Sequence, residues 1–287
     1  MTTIGRMAES GSAGAIAADG THLFVLDEGD GEPVLLIPAL GYATWCWTRQ
    51  VEPLSRSARV LAIDNRGSGR SGKPPGPYSI HQMAEDAFSV LTQRAAAPAH
   101  VVGASMGGYI AMTLAKHHPE AVRSLVLIAT TNGGPGSHPV PEETLRAWAS
   151  ATHLGPAGYA RATMPLSFAP GWVGEHPAEY EELLALRLSF PTAIDAWLAQ
   201  FMACTVFLRE GLGSPIRHPT VIVHGTADRV VPYENAAHLA RAAPQASLVT
   251  LDGAGHLCWI ERAAEVNDII LAFVSADTRF PETATRG

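Results

Sequence analysis

Val101-Val102-Gly103-Ala104-Ser105-Met106-Gly107-Gly108 is the stretch that decides the fold of this 287-residue chain. It begins as an apolar run typical of a buried strand, and it passes through a Gly-x-Ser-x-Gly turn into a helical pattern that starts at Tyr109. A sharp strand-to-helix turn would strain Ser105, and side chains at Gly103 and Gly107 would collide there. The predicted result is a hydroxyl raised above a sheet, in front of a helix N-terminus. The motif alone also fits an ordinary glycine turn, so its meaning depends on the rest of the chain.

Strands and helices alternate on both sides of this stretch. Apolar runs bounded by turns predict strands near residues 21–27, 33–37, 59–64, 124–129, 220–224 and 247–251. Apolar residues at helical spacing predict helices between them, and the clearest is 79–95 with Ser79 as its N-cap. This alternation is typical of the α/β class, with a mostly parallel, doubly wound sheet flanked by helices.

The alternation stops between residues 132 and 217, where no strand-like run occurs. Three helical patterns occupy this part, at 142–152, 178–188 and 192–209, separated by Gly and Pro. We therefore interpret residues 132–217 as a helical cap inserted into an α/β core. The predicted organisation is a mobile leader at 1–20, the core at 21–131 and 218–275, the cap at 132–217, and a frayed tail at 276–287.

Composition limits the partners that the chain can have. Hydrophobic residues make up 47% of the sequence, enough for one large domain with a substantial core. A net charge of −7 without any basic run argues against nucleic acid, and no stretch is long and apolar enough for a membrane, so we expect a small-molecule partner. Cys46, Cys204 and Cys258 match no metal or redox spacing, which favours reduced thiols in a cytoplasmic protein.

Four sequence blocks resemble the α/β-hydrolase fold superfamily. They are Leu-Leu-Ile-Pro-Ala-Leu-Gly at 35–41, Asp-Asn-Arg-Gly-Ser-Gly-Arg-Ser at 64–71, the Ser105 turn, and His-Gly-Thr-Ala-Asp at 224–228 with Gly-Ala-Gly-His at 253–256. The resemblance spans about residues 21–274. It implies a sheet of the eight-stranded type, a variable cap at the position of the helical insertion, and a serine esterase or lactonase-like activity.

The chemistry of a serine nucleophile selects two further residues. A serine hydroxyl needs an imidazole to accept its proton, and the imidazole needs a carboxylate to fix its tautomer. His256 lies in a glycine-rich loop after the last predicted strand, and Asp228 follows the strand at 220–224. The order Ser, Asp, His is the one expected for this fold. His224 could compete with His256, but a His-Gly pair at a strand end is more typical of packing.

An oxyanion formed at Ser105 would need backbone donors. We predict the N–H groups of Leu40 and Met106, the latter at the start of the helix after Ser105. The chain departs from the family pattern because Pro38-Ala39 replaces the usual His-Gly. Backbone donation survives this change, whereas the bracing of the loop becomes doubtful. The block at 64–71 is expected to shape and brace a loop beside the site.

Aromatic and apolar residues are candidates for a substrate pocket above Ser105. They are Trp45, Trp172, Phe190, Trp197, Phe201 and Met202. The competing interpretation is that most of them pack the helices of the cap together. No arginine of the cap stands out as an acid-binding residue, although Arg161, Arg187 and Arg209 are available.

These residues predict a serine hydrolase that needs neither cofactor nor metal. It would cleave a small carboxylic ester or lactone with water, through an acyl-enzyme on Ser105. A serine at this turn counts against epoxide hydrolases and haloalkane dehalogenases, which use an aspartate there. The alternatives are a carbon-carbon bond hydrolase, thioesterase or acyltransferase with the same triad, and a non-catalytic ligand receptor of the same fold.

Overall fold

The computed structural model describes residues 14–276. The strands are β1 Ala15–Ile16, β2 His22–Leu23, β3 Val25–Glu28, β4 Pro33–Ile37, β5 Arg59–Ile63, β6 Ala99–Ala104, β7 Val122–Ile128, β8 Thr220–Gly225 and β9 Ser247–Leu251. The α-helices are α1 Val51–Ser55, α2 Ile80–Gln93, α3 Met106–His117, α4 Glu142–Ala151, α5 Gly155–Thr163, α6 Trp172–Glu175, α7 Pro177–Ser189, α8 Ile194–Glu210, α9 Glu234–Ala242, α10 Cys258–Glu261 and α11 Ala263–Ser275. Short 3₁₀ turns occupy Thr44–Trp47, Pro119–Ala121, Thr152–Leu154 and Met164–Ser167.

The main sheet has seven strands in the order β3-β5-β4-β6-β7-β8-β9. Every neighbouring pair is parallel except β3 with β5, which is antiparallel. Strands β1 and β2 form a separate antiparallel pair. The predicted α/β class with a mostly parallel sheet is confirmed, with seven strands where the resemblance implies the eight-stranded type.

The central strand β6 carries apolar residues on both faces because helices cover both sides of the sheet. Val101 belongs to one buried cluster and Val102 to the other, as expected for a strand whose side chains alternate. Helices α2, α3 and α9 pack against the face of Val101, and α1 and α11 against the face of Val102. The sheet is therefore doubly wound, as predicted.

Between β7 and β8 the described chain is helical and contains no strand. Three of its helices, α4, α7 and α8, correspond to predicted helices, whereas α5 was not predicted. Helix α5 begins at Gly155-Pro156, although Gly and Pro in this region were expected to separate helices. Proline at the first turn of a helix removes no hydrogen bond that the helix needs, so this pair starts a helix instead of separating two.

Within residues 14–276, no single helix is long and apolar enough to cross a membrane. Helices α7 and α8 reach the required length and composition only when they are counted together, and they are bent by 101° relative to each other. Several of their apolar residues, including Leu183, Trp197 and Phe207, are buried inside the protein.

The first described residues correct the prediction of a mobile leader at 1–20. Strand β1 pairs with β2, and Ile16 exchanges two backbone-to-side-chain hydrogen bonds with Gln93 of α2, at 3.0 and 2.7 Å. Asp19 forms an ion pair of 2.8 Å with the buried Arg66. Residues 14–20 are thus part of the fold. The rest of the predicted leader, 1–13, and residues 277–287 of the predicted tail lie outside the described residues.

A buried histidine lies in the centre of the sheet. His100 of β6 is 1% exposed, and its Nδ1 lies 2.7 Å from the Ser124 hydroxyl of β7. Burial, together with the positive charge of Arg123, lowers the pKa of His100 from 6.5 to about 4. Folding therefore favours the neutral imidazole.

We expect His100 to make the folded protein sensitive to acid. Between pH 6.5 and about 4 the unfolded chain binds a proton at His100 that the folded chain does not, so stability falls as the pH falls. In His100→Gln this contribution is absent. The free energy of unfolding of the wild type, relative to that of His100→Gln, should fall by up to about 3 kcal/mol as the pH falls from 6.5 to about 4. This follows from about 1.4 kcal/mol for each pKa unit.

Urea unfolding at several pH values measures this difference. His153→Gln, at an exposed position of the helical region, is the control and should follow the wild type. A gap between wild type and His100→Gln that stays constant from pH 7 to 4 would contradict the prediction.

Candidate active site

Ser105 lies in the turn between β6 and α3 with φ 53° and ψ −117°. A positive φ is uncommon for a residue other than glycine and costs energy unless the surroundings impose it. Two hydrogen bonds with residues at the end of β7 hold Ser105 in this conformation. The Ser105 amide donates to the Ile128 carbonyl at 2.9 Å, and the Thr130 hydroxyl donates to the Ser105 carbonyl at 2.8 Å.

The glycines around Ser105 make this turn possible. A Cβ at Gly103 would collide with the Gly107 carbonyl, and a Cβ at Gly107 would collide with the Ile37 carbonyl of β4. A Cβ at Gly108 would overlap the Thr130 side chain. The steric interpretation of Gly103 and Gly107 therefore agrees with the structure.

His256 and Asp228 are in direct contact. His256 Nδ1 lies 2.8 Å from Asp228 Oδ2, which leaves Nε2 as the ring nitrogen available to accept a proton. The other oxygen, Oδ1, accepts hydrogen bonds from the amides of Val230 and Val231 at 2.8 and 2.9 Å. His256 lines the same cavity as Ser105. The three residues selected from the sequence are thus brought to one place.

Asp228 carries the negative charge of the site. Burial alone would raise its pKa, but the charge of His256 and hydrogen bonds from His224 and His256 more than compensate. The net effect holds the pKa of Asp228 well below its ordinary value. The carboxylate can therefore orient His256 and stabilise its protonated form.

His224 is a neighbour of Asp228 and does not line the cavity. Its ring is fully buried, and Nε2 lies 2.9 Å from the Val231 carbonyl and 3.3 Å from Asp228 Oδ2. It approaches the same carboxylate oxygen as His256. His224 therefore helps to position Asp228, which refines the packing role expected from the sequence.

Glu261 braces the loop that carries His256, a role that was not predicted from the sequence. Its Oε2 accepts a hydrogen bond from the Gly255 amide at 3.1 Å, and its Oε1 accepts one from the Ala169 amide at 3.0 Å. Burial raises the pKa of Glu261. The contact joins the histidine loop to the helical region, and neither partner amide is recognisable in a sequence.

The two predicted oxyanion donors lie at the expected positions in the fold. Met106 is the first residue of α3, so its amide belongs to the orphan donors of a helix N-terminus. Leu40 follows β4 and lines the cavity together with Ser105. Among residues 14–276 no backbone acceptor pairs with the Leu40 amide.

The loop around Leu40 is held by side chains from the block at 64–71. Asp64 Oδ1 accepts a hydrogen bond from the Thr44 amide at 2.6 Å, and Asn65 Nδ2 donates to the Pro38 carbonyl at 3.2 Å. This block therefore braces the loop, as predicted. Ala39 does not have a positive φ, so the absence of the usual glycine at this position introduces no strain.

Gln200 of α8 completes the bracing and was missed by the sequence analysis. It is fully buried, and its Oε1 accepts a hydrogen bond from the Gly41 amide at 2.9 Å. Its Nε2 donates to the Arg66 carbonyl at 2.8 Å and contacts the Ser68 hydroxyl at 3.0 Å. One amide side chain thus fastens the Leu40 loop to the block at 64–71. The glutamine at an inward position of an apolar helix is the signal that could have revealed it.

Ser105 opens into a cavity of about 50 Å³. It is lined by Ala39, Leu40, Tyr42, Ser105, Trp148, Tyr159, Thr163, Ser167, Arg187, Trp197, Val230 and His256. Tyr42, Tyr159 and Arg187 were not selected from the sequence. Tyr42 lies in the loop after β4, and the approach of Tyr159 and Arg187 to Ser105 depends on how α5 and α7 pack over the sheet.

Of the six predicted pocket residues, only Trp197 lines this cavity. Phe201 lies behind it, stacked on Trp197 with ring centroids 5.2 Å apart. Met202 points outward and is 56% exposed. Because successive residues of a helix are rotated around its axis, one face of α8 reaches the cavity and the others do not.

The remaining three predicted pocket residues are also absent from the cavity lining. Trp45 is buried behind Tyr42, with ring centroids 5.0 Å apart. Trp172 is stacked on Phe168 within the core cluster, with centroids 4.3 Å apart. Phe190 lies outside the cavity lining, with the Arg70 guanidinium 4.8 Å from its ring centroid. These rings serve packing, which was the competing interpretation.

Within residues 14–276, no group of three or more His, Cys, Asp or Glu side chains is arranged to hold a metal ion. The three cysteines are separate and buried, and burial raises the pKa of each thiol.

Comparison with known proteins gives a consistent result. The sequence profile described as the Alpha/beta hydrolase family matches residues 34–269. A relative named carbamate hydrolase RutD, from Azorhizobium caulinodans, is 31% identical over 245 residues, covering 85% of this chain and 92% of the relative.

Solved structures agree over nearly the whole chain. A thermophilic esterase from Thermogutta terrifontis superposes with a TM-score of 0.78 at 26% identity, covering 92% of this chain and 98% of the esterase. The enol-lactonase from Burkholderia xenovorans LB400 superposes with a TM-score of 0.80 at 26% identity, covering 91% of this chain and 99% of the lactonase.

The geometry predicts that Ser105 reacts with a fluorophosphonate, a probe that forms a covalent adduct with activated serines. In Asp228→Asn the labelling rate should fall by about 10³ to 10⁴, because an amide cannot hold the required tautomer of His256. The control is Asp252→Asn, an exposed aspartate whose Oδ1 accepts from Thr226. Time-resolved mass spectrometry measures the adduct. Labelling of folded Asp228→Asn at the wild-type rate would reject the pairing.

Proposed function

The chain belongs to the alpha/beta hydrolase family, and we propose that it is the serine hydrolase of a small carboxylic ester or lactone. The observation that carries this proposal is the arrangement at the cavity. Ser105 sits at a strained turn, and His256, paired with Asp228 at 2.8 Å, lines the same cavity. An activated serine beside a proton acceptor is suited to acyl transfer.

The reaction would begin with proton transfer from Ser105 Oγ to His256 Nε2 as the oxygen attacks the substrate carbonyl. Asp228 stabilises the imidazolium that results. The amides of Leu40 and Met106 receive the developing oxyanion, where losing one such donor typically costs about 3 to 4 kcal/mol of transition-state stabilisation.

The second half of the reaction would return the enzyme to its starting state. Protonated His256 gives its proton to the departing alkoxide, and the acyl group remains on Ser105. His256 then accepts a proton from water, which attacks the acyl carbonyl. Collapse of this second intermediate releases the carboxylic acid and returns the proton to Ser105.

The cavity supports a small substrate. Its volume of about 50 Å³ suits a short acyl chain better than a fatty one. The solved esterase and enol-lactonase that superpose on this chain support an ester or lactone bond. The relative named carbamate hydrolase favours a carbamate as the second candidate, because the same attack can take place at a carbamate carbonyl.

A substrate panel tests the proposed bond type. The panel contains short-chain ethyl esters, γ- and δ-lactones and ethyl carbamates, with acid release followed by pH-stat titration. We expect turnover of esters or lactones by the wild type and none by Ser105→Ala. Ser150→Ala, at an exposed position of α4, should keep full activity. Turnover confined to carbamates would replace the ester proposal by the second candidate, and equal activity in Ser105→Ala would reject both.

Replacing Gln200 tests the bracing of the Leu40 loop. Gln200→Met keeps the volume but removes the acceptor of the Gly41 amide, so the Leu40 donor is displaced and not removed. We therefore expect kcat to fall by about 10- to 100-fold, less than the loss of about 10² to 10³ for a deleted oxyanion donor, and KM to change less. Gln200→Glu keeps that acceptor and should recover part of kcat. Met202→Ala, on the exposed side of the same helix, is the control. An unchanged kcat in folded Gln200→Met would show that the loop holds its shape without this contact.

A further inference from the structure

Arg187 is a buried cation at the cavity that contains Ser105. It lies in the last turn of α7, is 8% exposed, and lines the cavity together with Ser105 and His256. Several arginines within residues 14–276 form ion pairs with Asp or Glu side chains, but Arg187 is not one of them. The charge of Arg187 is therefore not matched by a carboxylate of the described chain.

A tyrosine ring contacts the Arg187 side chain, and two more tyrosines feel its charge. Its guanidinium lies 4.8 Å from the centroid of the Tyr42 ring. Burial raises the pKa of Tyr159 and of Tyr180, and the positive charge of Arg187 is the largest influence that opposes this rise at both. Contact with a ring face offsets part of the cost of burying a cation, but ring faces do not satisfy N–H donors in the plane of the guanidinium.

Arg229 shows how an arginine braces the same region. Its Nη2 donates to the carbonyls of Pro165 and Phe168, both at 3.1 Å. Arg187 makes no comparable hydrogen bond to a carbonyl within the described part of the chain. Arg187 lines the cavity, so a ligand bound there can supply acceptors for guanidinium N–H donors that no acceptor of the described chain takes up.

The other charged groups at the cavity do not cancel Arg187. Asp228 lies behind His256 and is paired with it at 2.8 Å. Tyr42, Tyr159, Thr163 and Ser167 are neutral polar groups of the lining. Arg187 is thus the one Lys, Arg, Asp or Glu side chain that residues 14–276 contribute to the cavity lining, and a positive charge placed there favours an anion.

We propose that Arg187 binds a carboxylate of the substrate, so that the natural substrate is an anionic ester or lactone, derived from a short dicarboxylic acid or an equivalent acid. A carboxylate presents two oxygens that match the paired N–H donors of a guanidinium. Arg187 and Ser105 line the same small cavity, so a short substrate is the kind expected to reach both residues. The identity of the cleaved bond rests on the proposed function, whereas the anion site does not.

Two isosteric substrates test the anion site. Monoethyl succinate carries a carboxylate where ethyl succinamate carries a neutral amide, and the monoethyl esters of malonate and glutarate vary the chain length. We expect the wild type to favour the best anionic ester over its amide counterpart by at least tenfold in kcat/KM at constant ionic strength.

Variants at Arg187 separate recognition from folding. Arg187→Gln should reduce the anionic-to-neutral ratio of kcat/KM by at least tenfold, whatever happens to overall activity, and Arg187→Lys should retain part of the preference. Arg161→Gln, an exposed arginine of α5 outside the cavity lining, should leave the ratio unchanged. A ratio unaffected by Arg187→Gln would assign Arg187 a structural role and overturn the proposal.

Binding without turnover distinguishes failure of this proposal from failure of the proposed function. Calorimetry on Ser105→Ala should detect succinate or monoethyl succinate, with affinity lost in Ser105→Ala combined with Arg187→Gln. If no ester is hydrolysed but this binding is present and depends on Arg187, the proposed anion site is supported and the proposed ester hydrolysis is rejected. If esters are hydrolysed without a preference for anionic ones and no anion binds, the proposed anion site is rejected and the proposed ester hydrolysis is supported.

Discussion

The structure depends on holding one residue, Ser105, in a backbone conformation that its side chain disfavours. The positive φ is stabilised from β7, through the Ile128 carbonyl and the Thr130 hydroxyl, and it is sterically possible because Gly103 and Gly107 lack side chains. A central strand with partners on both sides is the most rigid place in a sheet for such strain. The hydroxyl is therefore presented at the carboxyl edge of the sheet, where the loops that follow the neighbouring strands converge.

Two hydrogen-bonded braces connect the helical region to the loops of this edge. Gln200 holds the Gly41 amide next to Leu40, and Glu261 links Gly255, beside His256, to Ala169. The elements that shape the cavity thus also hold the groups expected to do the chemistry. Pocket shape and reactivity are consequently coupled through a small number of buried polar contacts, which are costly to leave unsatisfied.

The sequence was sufficient for the fold class, because buried parallel strands and their covering helices leave strong periodic patterns. Ser105, Asp228 and His256 could be selected because chain order and chemical need restrict the choice. The pocket could not be predicted. Which face of a helix reaches Ser105 depends on tertiary packing, so Trp197 lines the cavity while Met202, five positions later on α8, faces solvent. Arg187 also went unselected, since its lack of a carboxylate partner is a property of three-dimensional surroundings.

The hydrogen bonds of Gln200 limit which sequence changes in α8 can alter the cavity during evolution. Residues along the cavity face of α8 can be exchanged, and each exchange alters the space available to a substrate. The number of helical residues before Gln200 is much more constrained, because inserting or deleting one of them rotates all later residues of the helix by about 100°. Gln200 would then turn away from the Gly41 amide. Evolution of new specificities in this helix is therefore expected to proceed by substitution, with insertions and deletions confined to the loops on either side.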